Sequence, residues 1–168
     1  MKEVVWVFGE SASGKETFIK YITSAKGGGL LDQFGWKDKS IVACTESLEL
    51  IGDDLDKMRD KILEKVPTLL ETSDVVLIKW QFVDTQANRL LELKENLPNA
   101  LHRIIFLRVS VEEVAERLPS KKLWRHYGQE LIFATNELPV VMKSLDSVKS
   151  LFDIIAIDSS GSGHYDVL

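Results

Sequence analysis

The chain has 168 residues, of which 45% are hydrophobic and 28% charged, with a net charge of −5. That length suits one domain able to bury roughly 70% of its unfolded surface, and that balance excludes a disordered chain. The acidic net charge argues against general nucleic-acid or anionic-membrane binding, and with Cys44 as the single cysteine no intrachain disulfide forms.

The first apolar run, Val4–Phe8, follows only Lys2 and Glu3. It is too short for a signal-peptide core or a membrane span, so a soluble, cytoplasmic protein is expected. Its unbroken β-branched and aromatic character fits a strand of a parallel sheet covered on both faces. Four further runs read the same way: Ser40–Cys44, Val75–Lys79, Arg103–Arg108 and Ile154–Ile157. Helical spacing separates them. It covers Lys15–Ala25, then Asp53–Leu70, where Leu55, Met58, Ile62, Val66 and Leu69 recur at steps of three or four. It returns in Thr85–Leu97, stopped by Pro98, in Val111–Leu118, stopped by Pro119, and in Val140–Phe152. The alternation predicts right-handed βαβ crossovers and an open parallel sheet within one domain, 1–168. Two segments break the rhythm. Gly27–Gly29 opens a long polar connection, and Leu118–Leu138 reads as an insertion before the last helix.

The first strand runs directly into Gly9-Glu10-Ser11-Ala12-Ser13-Gly14-Lys15-Glu16-Thr17, followed by helix. This is G-x-x-x-x-G-K in the strand–loop–helix context of a phosphate-binding loop. The glycines let backbone N–H groups turn inward around phosphate oxygens, and the helix N-terminus adds its positive end. Lys15 is placed to reach the β and γ phosphates of ATP or another nucleoside triphosphate. The Ser or Thr that normally follows the lysine and holds Mg²⁺ is replaced by Glu16, and Thr17 is rotated roughly 100° around the helix. Two readings of Glu16 stand: a carboxylate ligand to Mg²⁺, or a complement to the helix N-terminus that points away from the nucleotide.

Ser13-Gly14-Lys15-Glu16-Thr17 is joined by two further patterns. One is Ile104–Ser110 followed by Val111–Leu118. The other is Ile157-Asp158-Ser159-Ser160-Gly161-Ser162 after the last strand. On these residues the chain resembles the P-loop kinases of the nucleoside and nucleotide kinase-like superfamily, which includes the shikimate, gluconate and dephospho-CoA kinases. The resemblance implies a three-layer α/β/α fold with a five-stranded parallel sheet in the order 2-3-1-4-5 and a small helical lid at about 118–138. It also implies phosphotransfer from ATP, with Mg²⁺, to a small-molecule or nucleotide acceptor. Asp158, Ser159, Ser160 and Gly161 would then border the adenine.

Between Arg117 and Tyr127 stand Arg117, Lys121, Lys122 and Arg125 with no acidic residue. Against the overall negative charge such a cluster reads either as a phosphate clamp in a closing lid or as a solvated basic face. Arg117 and Arg125 are the preferred clamp residues, because guanidinium binds phosphate bidentately. The third strand ends in Lys79-Trp80-Gln81, without the acid that often holds Mg²⁺ through water. Glu46 and Asp84 are the nearest substitutes, or else plain surface carboxylates. Gln81, at a strand's carboxyl end, either contacts an acceptor or begins a loop. Trp36, Trp80 and Trp124 either stack on a base or pack. His102, His126 and His164 share no metal-ligand spacing with Cys44, so no zinc site is expected. The leading function is an ATP-dependent small-molecule kinase. Its alternatives are a nucleotide-binding regulator that no longer catalyses and an NTPase that drives a partner.

Overall fold

The computed structural model describes residues 1–24, 27–49, 55–80, 86–97, 99–121, 124, 127–161 and 164–168. The five apolar runs form β1 (Glu3–Phe8), β2 (Ile41–Ala43), β3 (Val75–Lys79), β4 (Leu101–Arg108) and β5 (Asp153–Asp158). They pair in parallel in the order β2-β3-β1-β4-β5. The expected five strands become six: β6 (Asp166–Val167) adds an antiparallel edge to β5. This two-residue strand carries no apolar run of its own. Just before it, Tyr165 packs on Phe18 and Tyr21, with ring centroids 5.1 and 4.9 Å away.

Side chains alternate across β1, and the alternation builds the layers. Val4, Trp6 and Phe8 face one core with Met58, Ile62 and Val66 of α4 (Leu55–Thr72) and Leu90 and Leu93 of α5 (Gln86–Asn96). Val141, Leu145 and Val148 of α7 (Glu130–Val148) complete it. Val5 and Val7 face the other core with Phe18, Ile19 and Ile22 of α1 (Lys15–Thr23) and Leu30 and Phe34 of α2 (Gly28–Phe34). Each such side chain contributes about 1.5–3 kcal/mol over its exposed state. The result is a three-layer α/β/α arrangement. Among the described residues no helix is long and apolar enough to cross a membrane.

Three connections differ from the sequence expectation. α2 occupies the segment that its glycines mark as a loop, because Leu30 and Phe34 are buried under the sheet. A short α3 (Thr45–Glu49) follows β2. After α6 (Val111–Arg117) the described residues make a 3₁₀ turn, Leu118–Ser120, and α7 starts at Glu130 and continues through Pro139. Pro139 reads locally as a helix stop, but Ala134 on one side and Val141, Leu145 and Val148 on the other are all buried. Their burial outweighs the one backbone hydrogen bond that proline removes.

Trp36 and Trp80 are fully buried and Trp124 nearly so. Trp36 Nε1 donates to Glu3 Oε2 at 3.0 Å. All three pack. Deeper in the sheet, Trp6 Nε1 donates to His102 Nδ1 at 3.2 Å, which leaves the other ring nitrogen to donate its proton to the Leu97 carbonyl at 2.9 Å. His102 is thereby a neutral imidazole, and burial lowers its pKa.

Candidate phosphate-binding site

Parallel pairing brings the carboxyl ends of four strands to one edge of the sheet, where open α/β sheets bind ligands. Val7 lies opposite Lys79, Phe8 opposite Phe106, and Arg108 opposite Asp158. The loop after β1, the Lys79 end of β3, the helix after β4 and the turn after β5 therefore meet.

The loop is shaped by steric demand. A Cβ on Gly9 would stand 2.3 Å from Ser13 Oγ and 2.9 Å from the Leu107 carbonyl oxygen, so only glycine fits. Gly14 turns into α1 with φ +89°, and Ala12 holds the left-handed region at φ +61°, at a cost of about 1–2 kcal/mol for a residue with a Cβ. Ala12 is anchored by a small core of Val109, Val114, Leu118, Trp124 and Ala134. No side chain caps the start of α1, which leaves its first N–H groups to a ligand.

Lys15 is 7% exposed. Its Nζ donates to the carbonyls of Gly9 at 3.0 Å and Glu10 at 2.8 Å. Burial pushes its pKa down to about 7, reinforced by Lys121 and Lys79 and opposed by Glu137 and Glu10. Glu10 is 3% exposed, and its Oε2 has no hydrogen-bond partner among the described residues. Burial and the nearby Glu137 raise its pKa to about 7, against the pull of Lys15. Ser13 Oγ is likewise buried without a partner. Ser11 donates its backbone N–H and its hydroxyl to the Glu137 carboxylate of α7.

On the opposite side the loop is tied to β5. Ser159 Oγ donates to the Ser13 carbonyl at 3.1 Å. Arg117 donates Nη1 to the Ala12 and Ser13 carbonyls, both at 3.4 Å, and Nη2 to the Ser159 carbonyl at 3.1 Å, while pairing with Glu113. Glu113 also accepts from the Gly161 N–H at 3.1 Å. Ser160 N–H donates to Asp158 Oδ1 at 2.8 Å, and hydrogen bonding from Ser160 lowers the Asp158 pKa. The structure thus brings Gly9–Thr17, Arg117 and Asp158–Gly161 together. Arg117 spends its donors on backbone carbonyls and Glu113, so it is a tether of the loop in this state. Thr17 is exposed, and Glu46 is half-buried. Arg125, Lys122, Gln81 and Asp84 lie outside the described residues. The residues that sequence reasoning missed are Glu113 and Glu137. Glu137 falls in the segment read as an insertion, and no local pattern marks it.

Among the described residues, the position expected to hold magnesium is committed elsewhere. Glu16, 47% exposed at its side chain, pairs with Lys20 one turn on at 2.7 Å, and that hydrogen bond lowers its pKa. Where an acid would stand at the end of β3 there is Lys79, half-buried, its pKa lowered by burial. Among the described residues no group of three His, Cys, Asp or Glu side chains is placed to hold a metal. The side chains around the loop carry both signs: Lys15, Lys79 and Lys121, whose charges act on one another, and the carboxyls of Glu10 and Glu137.

A strand running into a glycine-shaped loop with a buried lysine, in a sheet whose parallel strands follow the order 2-3-1-4-5, defines a three-layer α/β protein of the P-loop class. Its shape is similar to that of a gluconokinase from Sinorhizobium meliloti 1021, at 16% identity over 95% of this chain and 83% of that one, with a TM-score of 0.47. It is also similar to a shikimate kinase from Bacteroides thetaiotaomicron, at 13% identity over 96% and 89% of the two chains, with a TM-score of 0.42. No protein-family model and no curated protein sequence matches the chain.

Proposed function

We propose that this chain binds ATP or another nucleotide through its phosphates at Gly9–Thr17, in a single domain whose 118–138 segment serves as a lid. The observation that carries the reading is the loop itself. Gly9 fits only as glycine, Gly14 turns the chain with φ +89°, the lysine is buried inside the loop, and the helix behind it starts uncapped. The Asp158–Gly161 turn, tied to the loop through Ser159 and Arg117, borders the base in this reading.

As a kinase, the protein passes the γ-phosphoryl group to a small-molecule or nucleotide acceptor, and Lys15, Arg117 and Arg125 face the transferring group. Neutralising charge then comes from the chain's own cations. A nucleotide-binding regulator without phosphotransfer is the second reading. It is favoured by the commitment of Glu16 to Lys20 and of Arg117 to backbone carbonyls. Calorimetry with ATP tests the shared step. Lys15→Ala should weaken binding by roughly tenfold or more, since a charge-assisted contact is worth about 1.5–3 kcal/mol. An ATP affinity unchanged by Lys15→Ala refutes the assignment. Turnover then separates the readings: ADP release that needs an added acceptor marks a kinase, release without one an NTPase, and none a regulator.

A further inference from the structure

An internal anion already lies on the loop. Ser11 N–H stands 3.1 and 3.0 Å from Oε1 and Oε2 of Glu137, and Ser11 Oγ stands 2.8 Å from Oε1. The two residues are 126 positions apart in sequence. A carboxylate astride a loop N–H offers what a phosphate offers there: negative charge and two acceptor oxygens. The two ends of the loop are held differently. The Ser13 end is joined to the β5 turn by Ser159 and Arg117, and the Ser11 end to α7 by Glu137. Lys15 lies between them, turned onto the Gly9 and Glu10 carbonyls.

We infer that Glu137 is a specificity-determining residue: its carboxylate takes the place of the outermost phosphate on Ser11, so the loop accepts a nucleoside diphosphate in preference to the triphosphate. The inference rests on the proposed nucleotide reading, with the base beside Asp158–Gly161 and the phosphates running along the loop toward Ser11. A diphosphate held at Lys15 and the start of α1 ends short of Ser11. A triphosphate must displace the carboxylate and its three hydrogen bonds, or set its own terminal charge against it. Charge–charge repulsion across a few ångströms and the loss of charge-assisted hydrogen bonds act in the same direction.

The test is calorimetric titration of the full chain, as wild type, Glu137→Gln and Glu137→Ala, with ADP and with ATP in EDTA. Glutamine keeps the size and one acceptor oxygen and removes the charge, and a thermal melt confirms that each variant folds. Wild type is expected to bind ADP more tightly than ATP. Glu137→Ala should raise ATP affinity by roughly tenfold or more, the worth of one charge-assisted hydrogen bond, and ADP affinity by less than about threefold on the same scale. Glu137→Gln should fall between. Both nucleotides bound with an ATP-to-ADP ratio that neither variant changes would overturn the inference while leaving the nucleotide site standing. No binding of either nucleotide by any of the three proteins would refute the nucleotide site itself, and the inference with it.

Discussion

Replacing Lys15 by methionine should strengthen the fold at neutral pH relative to alkaline pH while removing the proposed nucleotide affinity. The ammonium is buried, and its pKa falls from 10.5 to about 7 on folding. Between those values the unfolded chain binds a proton that the folded chain gives up, so wild type loses stability as pH falls from the unfolded value toward the folded one. Methionine has no such linkage. At about 1.36 kcal/mol per unit, the variant's advantage at pH 7 should exceed its advantage at pH 9.5 by roughly 3 kcal/mol. Glu10 acts in the same direction. Its raised pKa makes the fold lose stability as pH rises through about 7, and without Lys15 to favour its charged form the variant loses more. A change of 1 kcal/mol moves the melting temperature by roughly 2–4 °C in a chain of this size, so the difference between the two melting curves should shift by roughly 6–12 °C between the two pH values. Differential scanning calorimetry at both pH values reads it directly. The contacts to the Gly9 and Glu10 carbonyls, lost at every pH, displace both differences equally and do not obscure the slope. A gap that is constant with pH, or that widens on the alkaline side, would refute the argument that Lys15 is held in the loop against its own desolvation.

Arg117→Ala should lower unfolding free energy by about 1–3 kcal/mol, because it releases the loop from β5, and Arg117→Lys should not restore it, since one ammonium cannot span three carbonyls. Urea unfolding of both variants checks this, and a midpoint equal to wild type would make Arg117 a bystander. His102 should lower stability as pH drops below about 6.5, because it is neutral in the fold and takes up a proton more readily once unfolded, whereas Glu10 acts in the opposite direction over the same range. The stability of His102→Gln relative to wild type should therefore rise as pH falls from about 7 to about 5, and a difference constant with pH would refute the buried neutral imidazole. Glu16→Ser should leave nucleotide affinity in EDTA and in excess Mg²⁺ in the same ratio as wild type, since Glu16 is turned to Lys20. Diverging ratios would show the carboxylate facing the phosphates.

Strand positions and the loop were legible because both are local. An apolar run such as Val75–Lys79 marks its own ends, and the spacing from Gly9 to Lys15 is itself the geometric requirement of the loop. The rest failed for three physical reasons. β6 has two residues and is recruited by backbone pairing and by Tyr165, neither of which leaves a periodic trace. Helical spacing is read only from Val140 onward, whereas the buried residues on both sides of Pro139 carry the helix back to Glu130. Arg117 reads from sequence as a phosphate clamp, but its partners in the fold include the carbonyl oxygens of Ala12, Ser13 and Ser159, which carry no residue identity to read. Glu137 is the clearest case: a contact between Ser11 and a residue 126 positions away is a property of the fold alone.

Pro139 gives α7 two mechanical parts. Without its N–H, the Thr135 carbonyl has no backbone donor four residues on, and the rigidity of the helix drops between those two residues. Val141, Leu145 and Val148, beyond the weak point, are clamped in the core beneath the sheet, whereas Glu137 lies within it. Ahead of the weak point Ala134 is packed with Ala12, Val114 and Leu118, so flexure there moves the carboxylate together with that small core. Whatever draws Glu137 off Ser11 is therefore felt at Ala12 in the loop itself, while the larger core beneath the sheet stays packed.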